Sequence, residues 1–347
     1  MTLRIVFMGT PDFSVPCLNA LLEAGHEVVA VVSQPSKPVG RGQHVQLPPV
    51  AEAAVAHGVP VHQWARLSDE SYGVLRALAP DLCVVVAYGK ILPQRYLDLP
   101  RLGCLNVHAS LLPRWRGAAP IQWAVMEGDT RTGVCIMRME AGLDTGPVAH
   151  EVMTAIGPDE SAGALHDRLA VLGADALVET IAELEAGRVV FRPQPVDGAT
   201  YAERLQKTHG LIDWSWSAHR VHDRVRGAHP WPGAYVELAT EPVGRQAGGV
   251  TTEPVGRQAG GVTTEPVGRQ AGGVTTEPFK ILATRVLPDA LADAPPGTVV
   301  ALDFDGPRIA CGSGCVVLTR VQRAGRKAVS GADFLRGAAD CVPGTRL

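Results

Sequence analysis

Four short runs of the chain, "LRIVFM", "EVVAVVS", "DLCVVVAY" and "LGCLNVH", are apolar almost without interruption and rich in β-branched residues. A strand with one wet face alternates polar and apolar side chains, whereas a continuous run needs both faces covered. Between the runs lie "CLNALLEAG", "PPVAEAAVAHG" and "SDESYGVLRALA", which show helical spacing and end at Gly or before Pro. The alternation predicts an α/β unit, a mostly parallel sheet with helices on both faces. Sheets of this kind bind ligands beyond the carboxyl ends of their strands.

The fourth run ends oddly for a buried strand. "LNVHASLLPRWRGAAPI" puts Asn106 and His108 where the strand runs out, and buried amides and imidazoles cost free energy unless they find partners. At i and i+2 they project to one face. A carboxamide and an imidazole converging on one spot can polarise a carbonyl and move a proton. A carboxylate that orients the imidazole and favours its charged form would complete the device. "MEAGLDTGPV" offers Asp144, in a Gly-bracketed loop after the strand-like "GVCIMRM". Each residue alone reads as a satisfied core group or a turn former. Together, in strand-end loops, the three make a candidate site.

At 347 residues the chain has room for two domains. A long helix carries it to Gly187, and "RVVFRPQPVDGATYAERL", with Pro193 and Pro195, then reads as a linker. The expected division is a Rossmann-like catalytic domain over 1–188, a linker over 189–205 and a C-terminal domain over 206–347. "FKILATRVL", "GTVVALDF" and "RIACGSGCVVLTRVQ" predict a small antiparallel, OB-like β-barrel there. Within it "TEPVGRQAGGVT" occurs three times in tandem from Thr240 to Thr275. The unit is too short and too poor in apolar residues to stack a core, so it reads as an expanded surface loop.

Charge and cysteine usage narrow the setting. Residues 1–205 hold 16 of the 32 Lys/Arg and 22 of the 35 Asp/Glu, leaving 16 basic against 13 acidic residues in 206–347. A basic second half beside an acidic first half is a weak hint of a polyanionic partner. Seven scattered cysteines, mostly in apolar runs, argue for reduced thiols. Cys311 and Cys315 in "CGSGC" lack a second pair for a zinc site, and no metal is expected. No apolar run is long enough for a membrane span and the N-terminus does not read as a signal peptide, so a cytoplasmic protein is expected. Nothing demands an oligomer, and the expectation is a monomer.

"NVHASLLPRWRGAAPI" followed by "GLDTGP" resembles the signature of the folate-dependent formyltransferases. "FMGTPDFSVPCLNALL", "QPSKPVGRGQ", "VVVAYGKILP" and "IDWS" extend the resemblance almost end to end, failing mainly in the repeat. The "QPSKPVGRG" loop and the basic C-terminal domain resemble the branch of that family that formylates the methionine on charged initiator tRNA. The resemblance implies 10-formyltetrahydrofolate as donor, with no permanently bound cofactor. It implies Asn106 as oxyanion stabiliser, His108 as proton carrier, Asp144 as its support, and Ser110, Leu111, Leu112 and Pro113 as the folate-binding segment. Arg41, between glycines in "VGRGQ", carries over as a tRNA contact. Arg320, Arg323, Arg326 and Lys327 are candidates for phosphate contacts, and read equally as an ordinary solvated strand and turn. Ala109 stands where many relatives have Gly, and His209 where they often carry an acidic residue.

A nucleotide-cofactor oxidoreductase should show G-x-G-x-x-G after its first strand, and "MGTPDF" lacks it. Intact Asn106, His108 and Asp144 argue against a catalytically dead RNA-binding protein. Formylation of another amine, such as a nucleotide-sugar amine, is the competing expectation.

Overall fold

The computed structural model describes residues 2–39, 44–240, 275–290, 293–338 and 341–347. A seven-stranded sheet has the order Val148–Ala155, Arg131–Arg138, Cys104–His108, Leu82–Val86, Arg4–Gly9, Glu27–Ser33, Val61–Gln63. From Cys104–His108 onward the strands pair in parallel. The two strands at the other edge are antiparallel.

Both faces are dry, as the continuous apolar runs require. Ile5 and Phe7 enter one core with Leu18 and Leu21 of helix Val15–Glu23 and Leu165, Leu169 and Leu177 of helix Ala162–Glu185. Val6 and Met8 point the other way, into a second core with Leu75, Tyr88 and Tyr96. Each such side chain is worth about 1.5–3 kcal/mol on burial. The same alternation aims the site. Leu105 and Val107 belong to the first core and Cys104 to the second, so Asn106 and His108 share the second face.

One expectation changes in detail. Asp144 does follow the carboxyl end of a strand, but Arg131–Arg138 runs against Cys104–His108. Arg138 therefore lies beside Leu105, and Cys135 lies beside His108. The loop after Arg138 has to double back along the sheet to bring Asp144 to the imidazole.

The C-terminal half is the expected small antiparallel unit. Ala234–Thr240, Thr275–Leu287, Cys315–Gln322, Gly306–Ala310 and Val299–Asp303 pair in that order, with Val329–Ser330 beside Cys315–Gln322. Among the described residues no ladder joins the first and last of these strands, so the barrel is open at one seam. Its core holds Trp214, Val221, Phe279, Ile309 and Leu318. Helix Ala218–Gly227 fixes it to the first unit: His222 Nε2 donates to the Pro158 carbonyl at 3.1 Å and Arg226 Nη1 to the Glu160 carbonyl at 3.0 Å. His209 also sits at this junction, edge-on to Trp123 at 5.2 Å.

All seven cysteines are buried, and none forms a disulfide. Cys311 N–H donates to the Gly314 carbonyl at 3.1 Å, closing a turn between two strands. Among the described residues no helix is long and apolar enough to cross a membrane.

The repeat residues 241–274 lie outside the described residues, but their flanks are informative. Thr240 pairs with Thr275 across two neighbouring antiparallel strands. The insertion therefore begins and ends at one hairpin end. Deleting Thr252–Thr275 puts Thr251 in the place of Thr275 and changes loop-closure free energy by less than about 2 kcal/mol. The deletion variant is expected to melt and to turn over like the parent. A folded variant that has lost activity would give the repeat a role.

Candidate active site

His108 is 5% exposed, with one ring nitrogen hydrogen-bonded and the other facing a carboxylate. Nε2 lies 2.9 Å from the carbonyl oxygen of Trp115. A carbonyl only accepts, so Nε2 carries the hydrogen and Nδ1 is left to gain and lose a proton. Nδ1 faces Asp144 Oδ2 at 3.7 Å, beyond a hydrogen bond but within reach of a charged pair. Catalytic contacts are often this long until substrate tightens them. Asp144 Oδ2 is itself anchored, accepting the Gly117 N–H at 2.8 Å.

The backbone that supplies these contacts is strained. Trp115 has φ +61° and Asp144 φ +51°. For residues with a Cβ this left-handed conformation costs about 1–3 kcal/mol each and persists only where the surroundings over-determine it. At Trp115 they do. Its N–H donates to Thr200 Oγ1 at 2.9 Å and its indole Nε1 to Asp129 Oδ2 at 2.7 Å. Arg114 grips the same Asp129 with two hydrogen bonds, 2.8 and 2.6 Å, and lies 4.3 Å over the Trp115 ring. Hydrogen bonding to Asp129 raises the Arg114 pKa further, against the opposing effect of burial. The "PRWRG" run is thus a brace that fixes the carbonyl holding His108.

Two glycines are obligatory here. Gly117 has φ +121°, and a Cβ on it would stand 2.6 Å from the Ala202 carbonyl oxygen. A Cβ on Gly146, which closes the Asp144 loop, would run into the Arg138 carbonyl.

Asn106 is half-buried, and its carboxamide makes no hydrogen bond to any described residue. Among the described residues nothing competes for it. Beside this face, Cys135 pairs with His108 across the sheet, and burial above all pushes its thiol up to about 12. At neutral pH it is no nucleophile.

The expected folate segment forms the turn after the strand. Ser110 and Leu112 are buried, Ser110 Oγ donating to the Arg114 carbonyl at 2.6 Å and Leu112 packing on Cys135 and Met137. Leu111 and Pro113 are half-buried. Side chains spent in this way leave mainly backbone groups to meet a ligand. A cavity of about 550 Å³ opens instead at the amino end of Cys104–His108, lined by Leu97, Leu102, Met139, Ala141, Arg101 and Arg138. Met139 and Ala141 lie on the loop that carries Asp144. Arg41 lies outside the described residues; the strands Lys37–Val39 and His44–Gln46 that flank it pair antiparallel. Arg320, Arg323, Arg326 and Lys327 are exposed on the end of a strand and the turn after it.

Residues missing from the sequence reading are Trp115, Asp129, Gln194 and Thr200. Their roles run through backbone contacts and partners far along the chain, which spacing does not reveal. Pro193 and Pro195 around Gln194 were the available signal.

The sequence profile described as formyl transferase matches residues 3–181, and that described as formyl transferase, C-terminal domain, matches residues 204–339. The chain belongs to the formyl transferase family. Among its relatives, the methionyl-tRNA formyltransferase of Roseobacter denitrificans is 46% identical over 338 residues, covering 97% of this chain and 96% of the relative. That of Gluconobacter oxydans is 45% identical over 348 residues, covering 99% and 100%. An N-formyltransferase from Helicobacter canadensis, solved with folinic acid and dTDP-3-aminofucose, shares the fold with TM-score 0.62 at 13% identity, covering 91% of this chain and 99% of that one. HypX from Aquifex aeolicus, solved with tetrahydrofolic acid, does so with TM-score 0.58 at 16% identity, covering 96% and 47%.

Proposed function

We propose that this protein transfers the formyl group of 10-formyltetrahydrofolate to the α-amine of the methionine on charged initiator tRNA. The observation that carries the tRNA reading is the near-complete overlap with relatives named methionyl-tRNA formyltransferase at 45–46% identity. In this reading residues 1–188 carry the chemistry, 206–347 hold tRNA by phosphate contacts and 189–205 join them. Asn106, His108 and Asp144 come from one chain, so a monomer suffices.

The reaction follows from the site. The amine nitrogen attacks the formyl carbon, forming a C–N bond and pushing an electron pair onto the formyl oxygen. The carboxamide of Asn106 donates to that oxyanion, an interaction of a kind worth about 3–4 kcal/mol. The amine sheds a proton to His108 Nδ1, the nitrogen not occupied by the Trp115 carbonyl. Asp144, facing Nδ1, stabilises the imidazolium so formed. Collapse breaks the bond from carbon to N10, which takes the proton, leaving a formamide and tetrahydrofolate. No metal is required at any step.

Side-by-side assays with charged initiator tRNA and a nucleotide-sugar amine test the acceptor. Formylation of the sugar amine alone would replace this reading with the competing one. Arg41→Ala is expected to lower kcat/KM for charged tRNA while leaving affinity for the formyl donor unchanged, because the loop is assigned to the nucleic acid. A fall in donor affinity instead would reassign the loop.

A further inference from the structure

The segment after Val190 does not cross to the second unit as a free tether. Arg192 exchanges two backbone hydrogen bonds with Val148, 2.8 and 2.9 Å. Eight residues on, Thr200 accepts the Arg116 N–H at 2.9 Å, and Tyr201–Ala202 pairs in parallel with Arg116–Gly117. The chain is therefore pinned at both ends across the loops that carry the site. Between the pins lies Gln194.

The half-buried carboxamide of Gln194 is fully used. Its Nε2 donates to the Asp144 carbonyl at 2.7 Å and to the Gly146 carbonyl at 2.8 Å. Its Oε1 accepts Arg116 Nε at 3.0 Å and Nη2 at 2.6 Å. The orientation is unambiguous: guanidinium nitrogens only donate and carbonyls only accept, so a flipped amide would satisfy none of the four. Pro193 and Pro195 flank it. Each fixes its own φ, and Pro195 also biases Gln194 towards extended backbone, so little freedom is lost in holding this pose.

These contacts converge on the strained residue. Asp144 is the left-handed residue whose carboxylate faces His108. Its side chain is tied by Gly117, but among the described residues the contact at its carbonyl comes from Gln194. Arg116, which locks Gln194, sits between Trp115, whose carbonyl holds His108, and Gly117, whose N–H holds Asp144.

We propose that Gln194 is a positioning residue for the reaction. Through its amide it holds the 144–146 loop in the left-handed turn that aims the Asp144 carboxylate at His108 Nδ1. The proposal rests on the His108–Asp144 pair being catalytic. Gln194 touches no reacting atom and acts through Asp144.

Gln194→Ala, Asp144→Ala and the double variant test it, with kcat and both KM values measured beside thermal melts. Gln194→Ala is expected to lower kcat by about 10- to 100-fold, the scale of a displacement near 1 Å in a catalytic group. KM for charged tRNA is expected to stay within about twofold. In the Asp144→Ala background the same change should lower kcat by less than about twofold, because there is no carboxylate left to aim. Gln194→Glu keeps the acceptor for Arg116 but loses both donors to the loop carbonyls. It should lose at least as much kcat as Gln194→Ala, and it serves in place of that variant if alanine prevents folding. Equal losses in both backgrounds, or a Gln194→Glu enzyme with parental kcat, would overturn the proposal. If Asp144→Ala itself keeps parental kcat, the underlying reading of the pair fails instead, which is a separable result.

Discussion

His108→Ala is expected to lower kcat by about 100- to 10,000-fold, the range over which a positioned proton carrier contributes. The fold should survive. The imidazole satisfies one backbone carbonyl, that of Trp115, and a truncated side chain opens that carbonyl to water or leaves it short of one partner, a cost of about 1–3 kcal/mol. Donor affinity should change little, since the group acts on the transition state. The informative variant is the pair. Asp144 lies 3.7 Å from Nδ1, and in the proposed reaction its contribution is to support the imidazolium that forms there. With the imidazole gone that contribution has no object, so His108→Ala/Asp144→Ala should be little worse than His108→Ala alone. Independent residues would multiply their losses. Single-turnover rates of the three variants decide it, and a multiplicative loss would return Asp144 to the role of a loop residue.

The readability of this site in the sequence followed physical distance along the chain. Asn106 and His108 were legible because i and i+2 on a strand share a face whatever else the fold does. The sheet itself was legible because a continuous apolar run has few alternatives to burial on both faces. Asp144 was legible only as a polar residue in a Gly-bracketed loop. That its loop doubles back beside an antiparallel strand depends on which neighbour Arg131–Arg138 pairs with, a long-range choice that local pattern does not encode. Arg114 and Arg116 show the same limit from the other side. Both carry charge near a site, and both are consumed internally, by Asp129 and Gln194. Nothing within the "PRWRG" run marks those partners. The segment around Gln194 illustrates it best: two prolines in an extended stretch do describe a linker, yet rigid extended chain is also what a brace between two loops requires.

Asn106→Ala is expected to cost about 100- to 1,000-fold in kcat with almost no loss of stability, and the two effects have one cause. In the folded protein the Asn106 carboxamide makes no hydrogen bond to any described residue. Removing it deletes no partner among the described residues, so the change in unfolding free energy should fall within about 0.5 kcal/mol, as for sites away from packed or bonded groups. Asn106→Leu, near the original size and apolar, should match or exceed the parent's Tm, since a half-buried polar group without a partner is a cost to the fold. Catalysis moves the opposite way. In the proposed reaction the donor meets negative charge only when the formyl oxygen acquires it, so its loss should raise the barrier without weakening ground-state binding. Asn106→Asp is the sharper variant: it preserves shape but sets a carboxylate where the oxyanion forms, so its kcat should fall below that of Asn106→Ala. Should Asn106→Asp retain more activity than Asn106→Ala, the side chain is serving as a spacer and not as a donor, and the oxyanion must be held from elsewhere.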